Sequence, residues 1–183
     1  MAQHILLLRG INLARRNRIA MPELREALES AGFGDVRTYL QSGNVVLSST
    51  AKADDIARKA ERLIAKEFGL EIAVVARTRA QLVQVVERNP LQTVAKNPKR
   101  YQVSFLDAKP TRELMRRVEE AAVPPEQVVA IGREIYAWHP ETIGRSRLWA
   151  LLAGQQLGVT ATARNWTTVT KLLSLAQEES RGS

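Results

Sequence analysis

Apolar positions along the chain switch between two periods, and each switch marks an element. Ile5 to Leu8 is a four-residue apolar run, and His4 to Leu8 predicts a short strand. Met21, Leu24, Ala27, Leu28 and Ala31 then recur at helical spacing. Pro22 stands near the start and Gly32 at the stop, so a helix is predicted between them. Arg37 to Leu40 and Val45 to Ser48 are β-rich and flank "QSGN", which reads as a hairpin. A second helix starts at Asp54-Asp55, where carboxylates complement the helix dipole, and ends at Gly69; Ile56, Ala60, Leu63, Ile64 and Phe68 form its inward stripe. Ile72 to Ala76 completes the order βαββαβ, that of the ferredoxin-like unit.

The second half repeats the beginning of that pattern. "TRAQLVQVVERNP" predicts a linking helix and "QTVAKNPKR" a loop, so we divide the chain near residue 95, into 1–95 and 96–183. Tyr101 to Leu106 reads as a strand, and Thr111 to Ala122 as a helix with Leu114, Met115 and Val118 inward. Pro124-Pro125 breaks the chain. Val128 to Ile131 and Ile135 to Trp138 form a hairpin about Gly132-Arg133, followed by helices over Ser146 to Leu157 and Arg164 to Gln177. The resulting order, βαββαα, is a modified copy of the first half. The expected fold class is α+β, two related ferredoxin-like subdomains with antiparallel or mixed sheets. Only "EESRGS" reads as disordered.

Composition narrows the function classes. A chain of 183 residues with 45% hydrophobic content can bury a real core. It has no cysteine, which excludes disulfides, thiolate metal sites and a cysteine nucleophile, and which suits the cytoplasm. The first residues lack the pattern of a signal peptide, and no run of about 18 apolar residues predicts a membrane span. The net charge of +8 favours anionic partners. That charge is spread evenly: residues 1–94 carry 14 Lys and Arg against 10 Asp and Glu, and residues 95–183 carry 13 against 9, so each half is +4.

No catalytic constellation assembles from spacing. His4 and His139 fit no metal-ligand pattern and read as structural. "GFGDVR" lacks a third glycine and follows a helix, and no Gly-Lys-Ser/Thr of a phosphate loop is present. "QSGN" lacks the Gly-x-Ser-x-Gly frame, so Ser42 reads as a turn residue. Neither a cofactor nor a metal is expected.

Donors suited to an anion concentrate in four places. The first is the loop with Arg9, Asn12, Arg15, Arg16, Asn17 and Arg18, just before a helix whose first amides lack partners. The second is Gln41, Ser42 and Asn44 of the hairpin turn, small polar residues that local backbone bonding also explains. The third is "ETIGRSRLW", where Arg145 and Ser146 stand at a helix start with Ser146 a natural cap. In "TARNWTTVTKLL", Arg164, Thr168 and Lys171 at i, i+4 and i+7 would share a line on a helix, whereas Trp166, Val169, Leu173 and Ala176 would face the core.

The stretch "LLRGINLARRNRIAMPELREALESAGFGDVRTYLQSGNVVLSS", with "YAWHPETIGRSRL" and "TARNWTTVTKL" after it, resembles the bacterial family catalogued as domain of unknown function 1697. The resemblance implies an α+β fold of two related subdomains and no established activity. It points to Arg9, Gly10, Asn12, Asn17, Gln41, Ser42, Gly43, Asn44, Arg145, Ser146, Arg164, Asn165, Trp166 and Lys171 as matches to family motif positions. This chain departs from the pattern in two places. Leu13-Ala14-Arg15-Arg16 stands where members commonly carry Val-Gly-Gly-Lys, and Thr167 where Asn is usual.

Three readings of function follow. The leading one is a protein that binds a phosphate-bearing ligand, nucleotide or nucleic acid, at a cationic polar surface. Against RNA stacked on the sheet, the first-half strands carry only Tyr39 as an aromatic. The second is an enzyme acting on a small anionic metabolite, with Asn, Ser and Arg as transition-state donors. The third is a structural or adaptor protein, which predicts that the motif side chains bond mainly to their own backbone. The oligomeric state is left open.

Overall fold

The first strand shows no alternation because both of its faces are covered. In β1 (Ala2–Leu8) the residues from His4 to Leu8 are all buried. The computed structural model describes residues 1–153 and 156–178. After β1 come α1 (Met21–Ser30), β2 (Gly34–Tyr39), β3 (Asn44–Ser49), α2 (Ala53–Phe68), β4 (Val74–Thr78) and α3 (Arg79–Arg88). The second series is β5 (Tyr101–Leu106), α4 (Arg112–Ala121), β6 (Gln127–Ile131), β7 (Glu134–Trp138), a 3-10 turn at Ile143–Arg145, α5 (Arg147–Ala153), β8 (Ala161–Asn165) and α6 (Trp166–Gln177).

Each series builds one four-stranded antiparallel sheet, in the orders β2-β3-β1-β4 and β6-β7-β5-β8. The fold is therefore α+β in two similar subdomains. By density of contacts the chain forms two units, Met1–Gln84 with the chain from Lys171 onward, and Val85–Thr170. In the first, Leu6, Leu8, Val45, Leu47, Val74 and Ala76 pack against α1 and α2, which contribute Leu24, Leu28, Ile56, Ala60 and Ile64. In the second, Leu106, Ile135, Ala137 and Ala161 pack with Leu114 and Val118 of α4 and Leu148 and Leu152 of α5.

Local chemistry sets the ends of the helices. Gly69 caps α2 in the left-handed conformation at φ 66°, where a side chain would be strained. Thr111 Oγ1 accepts from Leu114 N at 3.1 Å and starts α4. The helix expected over Ser146 to Leu157 is helical across Arg147–Ala153, while Gly154 and Gln155 lie outside the described residues. Of "EESRGS", only Glu178 is described.

One element differs from the sequence reading. The expected helix from Arg164 begins at Trp166, and Ala161–Asn165 is a strand paired with β5, Val103 opposite Arg164. The second half is thus βαββαβ followed by a helix, a full copy of the first rather than βαββαα. Its registers match as well. Arg77 lies opposite Ile5 of β1 as Arg164 lies opposite Val103 of β5. Each arginine donates Nη1 to the carbonyl of the alanine before it, at 2.9 Å for Ala76 and 2.8 Å for Ala163. Each is followed by the residue that starts the next helix. Thr78 Oγ1 accepts from Gln81 N at 3.1 Å and Asn165 Oδ1 from Thr168 N at 3.0 Å.

Among non-glycine residues, Asn12, Ala14, Asn17, Asp35 and Leu40 hold positive φ, and Ala14 at 53° has no side-chain polar group to compensate. Left-handed backbone costs a residue with a Cβ about 1–2 kcal/mol. Ala14→Gly is expected to raise unfolding free energy by roughly 0.5–1 kcal/mol in urea melts, after allowing for the looser unfolded chain. A loss of stability would mean that the loop does not hold this conformation.

Candidate functional site

The loop between β1 and α1 folds back on itself through asparagine side chains. Asn12 N donates to Asn17 O at 2.9 Å, and Arg16 N to Leu13 O at 3.0 Å, which makes a tight antiparallel turn with Ala14 and Arg15 at its tip. The Asn12 carboxamide then bonds like a strand neighbour: Nδ2 donates to Ile19 O at 2.9 Å, and Oδ1 accepts from Ile19 N at 2.9 Å. The same Nδ2 reaches Gln41 O at 2.7 Å, in the turn between β2 and β3. Asn17 Nδ2 donates to Gly10 O at 3.1 Å.

That second turn is locked to β1. Leu8 N donates to Gly43 O at 2.8 Å, and a Cβ on Gly43 would sit 2.7 Å from Leu8 Cβ and 2.6 Å from Ile11 Cδ1 at φ +82°. Asn44, fully buried, donates Nδ2 to Tyr39 O at 2.8 Å and to Ser42 Oγ at 3.0 Å. So the predicted residues Asn12, Asn17, Gln41, Ser42 and Asn44 do come together, and most of their side-chain bonds go to main chain. Arg9 is half-buried at the base of the loop, its N–H on Ala73 O at 3.0 Å. Arg15, Arg16 and Arg18 are exposed, and none makes an ion pair among the described residues. A shallow cavity of about 360 Å³ lies beside Arg18, lined also by Asn12, Ala14, Ile19, Ala20 and Gln41. Ala20 is also the N-cap of α1, which has no side-chain cap, so first-turn amides of that helix are left for an acceptor.

In the second unit Arg145 and Ser146 belong to a different arrangement. Ser146 Oγ accepts from Trp149 N at 3.0 Å as the start of α5, donates to Glu126 Oε1, and lies 3.2 Å from His139 Nδ1. His139 is buried, with Nδ1 2.9 Å from Glu126 Oε1, Nε2 3.1 Å from Gln102 Oε1, and its ring edge-on to Trp149 at 5.0 Å. Serine and carboxylate here meet the same imidazole nitrogen. A hydrolytic triad needs them on opposite nitrogens, so this network does not activate Ser146 as a nucleophile. Burial holds the His139 pKa below its ordinary value, with Glu126 opposing. For Glu126 burial pushes upward, but bonds from Ser146, the Val123 N–H and His139 outweigh it and hold the carboxyl below its usual range.

The remaining predicted residues separate. Because Arg164 lies in β8 and Lys171 in α6, the expected line of Arg164, Thr168 and Lys171 along one helix does not form, and Thr168 is buried. Arg164 donates to Thr162 Oγ1 at 2.7 Å, and burial lowers its pKa to about 10. Asn165 is spent as a helix cap, and Lys171 is exposed. Trp166 stacks on Tyr101 at 4.9 Å, which occupies the ring as the core reading expects. Sequence reasoning read His139 as structural, as its buried, bonded ring is, but did not name its partners Glu126 and Gln102. A signal existed only in part, since Glu126 precedes and His139 follows the β6–β7 hairpin and the turn brings the two ends together.

The chain matches, over residues 1–136, the family described as "Protein of unknown function (DUF1697)", and it belongs to that family. Among solved structures it is similar to the conserved bacterial protein SP0830 from Streptococcus pneumoniae, with 20% identity, 96% of this chain and 99% of that one covered, and a TM-score of 0.80. That likeness shows the fold. A provisionally assigned chlorite dismutase, TA0507, overlaps 94% of this chain and 97% of that one at 11% identity. Its TM-score of 0.27 carries no argument. No curated protein matches the chain. Among the described residues no helix is long and apolar enough to cross a membrane, and no group of metal-ligating side chains is found.

The histidines give the fold a defined pH response. His4 is buried with both ring nitrogens lacking a hydrogen-bond partner, and burial lowers its pKa, the Ser49 backbone opposing. A depressed folded-state pKa gives stability that is full above the ordinary value of 6.5 and is lost as pH falls through the folded value. Urea melts are expected to show stability falling between pH 7.5 and pH 5.5, by at most about 1.4 kcal/mol per pH unit for each histidine. His4→Val should flatten that fall. An unchanged pH profile in the variant would show that His4 does not titrate out of a buried site.

Proposed function

We propose that this member of the family binds a phosphate-bearing ligand at the arginine loop of its first unit. The reading rests on one observation: Arg15, Arg16 and Arg18 are exposed without ion pairs on a loop whose backbone is already fixed by Asn12 and Asn17. A fixed loop loses little freedom on binding, and arginine forks fit phosphate oxygens two at a time. The uncapped start of α1 adds amides and a favourable dipole beside the same cavity.

The cavity favours a nucleotide or another phosphorylated small molecule over a nucleic acid. Base stacking on the sheet is also disfavoured, because the face away from α1 and α2 is covered: Ile5, Leu7, Val46 and Val75 are all buried. A second reading is favoured by the motif asparagines, whose bonds to main chain are what a purely structural role requires.

Titration of a fluorescent nucleoside triphosphate separates the two. Saturable binding is expected, weakened about tenfold in each of Arg16→Ala and Arg18→Ala, the loss of one charge-assisted contact. Labelled single-stranded RNA is expected to bind more weakly, with a log–log salt slope of about −2 if three phosphates are engaged. No binding of either probe at low salt would leave the structural reading. Equal affinity in both arginine variants would place the ligand elsewhere.

A further inference from the structure

The second unit carries a cavity of about 280 Å³ at the mouth of the Glu126, His139 and Ser146 network. Its volume is just below the ~300–1,000 Å³ range of small-molecule sites, which suits a compact metabolite rather than a polymer. The chemistry of its wall is divided. Arg145 and Arg147 flank Ser146, are exposed, and make no ion pair among the described residues. Two carboxylates line the same cavity, the exposed Glu141 and Glu126, whose side chain is 12% exposed and which bonds Ser146 between the two arginines. The Glu126 Oε1 is taken by Ser146 and His139, whereas among the described residues Oε2 accepts only the Val123 N–H at 3.0 Å, one bond on an oxygen that can accept two. Pro124, Pro125 and Pro140 add rigid apolar surface to the lining.

A simple anion drawn to the arginines would meet the Glu126 carboxylate, and a simple cation drawn to Glu126 would meet the two guanidinium groups. A ligand carrying both charges a few atoms apart suits a wall that holds two arginines together with the carboxylates of Glu126 and Glu141. We propose that this cavity binds a compact zwitterion of the α-amino acid class, its carboxylate on Arg145 and Arg147, its ammonium on Glu126 Oε2, and an apolar side chain against the prolines. The bonds that hold Glu126 ionised keep the acceptor available at neutral pH. Ser146 and His139 do not touch the ligand in this account. They are positioning residues that aim the carboxylate.

The test is calorimetric titration of the full chain at pH 7 with L-leucine, L-valine and L-proline, beside 4-methylpentanoate, isoamylamine and inorganic phosphate. At least one amino acid is expected to bind with a dissociation constant of roughly 1 mM or tighter, and the acid, the amine and phosphate at least tenfold more weakly. Arg145→Ala, an exposed substitution that leaves the fold intact, should weaken the amino acid by about tenfold, as should Glu126→Gln, which keeps an acceptor for the Val123 N–H. Arg16→Ala in the first unit should change nothing, which keeps this result separate from that of the arginine loop. Equal binding of 4-methylpentanoate or phosphate would make the cavity a plain anion site and overturn the proposal. So would the failure of all three amino acids to bind at about 10 mM, a concentration well above the affinity expected.

Discussion

The carboxamide of Asn12 holds together the loop between β1 and α1 and ties it to the turn between β2 and β3. It pairs with Ile19 through a donor and an acceptor at once, as a peptide group in a sheet would, and spends a further hydrogen on Gln41 O. A side chain thereby completes a ladder the backbone could not close alone, since Gly10, Asn12, Ala14 and Asn17 all hold positive φ. At about 1–2 kcal/mol for each residue with a Cβ, that conformation needs compensation, and the asparagine bonds of about 0.5–1.5 kcal/mol each are of the right size to supply it. Arg15, Arg16 and Arg18 need no structural bonds of their own. They remain exposed without ion pairs among the described residues.

Two copies of one design underlie the chain, and a pair of arginines, Arg77 buried and Arg164 half-buried, marks it most clearly. Arg77 and Arg164 follow an alanine, bond to that alanine's carbonyl, and precede a helix-starting residue in each unit. Both point away from the helix-covered face of their sheet, since the residues opposite them, Ile5 and Val103, alternate with the core residues Leu6 and Leu106. A charge kept in so apolar a setting is costly unless hydrogen-bonded, which is why the neighbouring carbonyl and, for Arg164, Thr162 Oγ1 are within reach.

Much of this was legible in the chain. The strands with Val, Ile and Leu runs, the helices with clear stripes and the antiparallel ferredoxin-like order follow from periodicity and from Gly and Pro placement. β8 did not, because "ATARN" has no branched apolar residue, whereas its counterpart "VVART" opens on two valines. Its helix-like spacing of Arg164, Thr168 and Lys171 also crosses a strand end, where a helical period has no meaning. The role of the asparagines was half legible: their small polar type fits turns, but which carbonyl each would bond depends on loops 29 residues apart meeting. The Glu126, His139 and Ser146 network was legible only in part: the hairpin and the helix cap could be read, but that members 13 and 7 residues apart meet on one imidazole nitrogen could not.

Amide hydrogen exchange in the loop tests the central claim most directly. If Asn12 fixes the loop, the Ile19 amide, bonded to Asn12 Oδ1, and the Asn12 amide, bonded to Asn17 O, are protected in the native protein. Asn12→Ala should then abolish protection at positions 12 and 19 while the amides of β1 keep theirs. An Ile19 amide that exchanges as fast as an unfolded chain in the unsubstituted protein would contradict the account, because the arginines would then sit on a loop with no shape to offer.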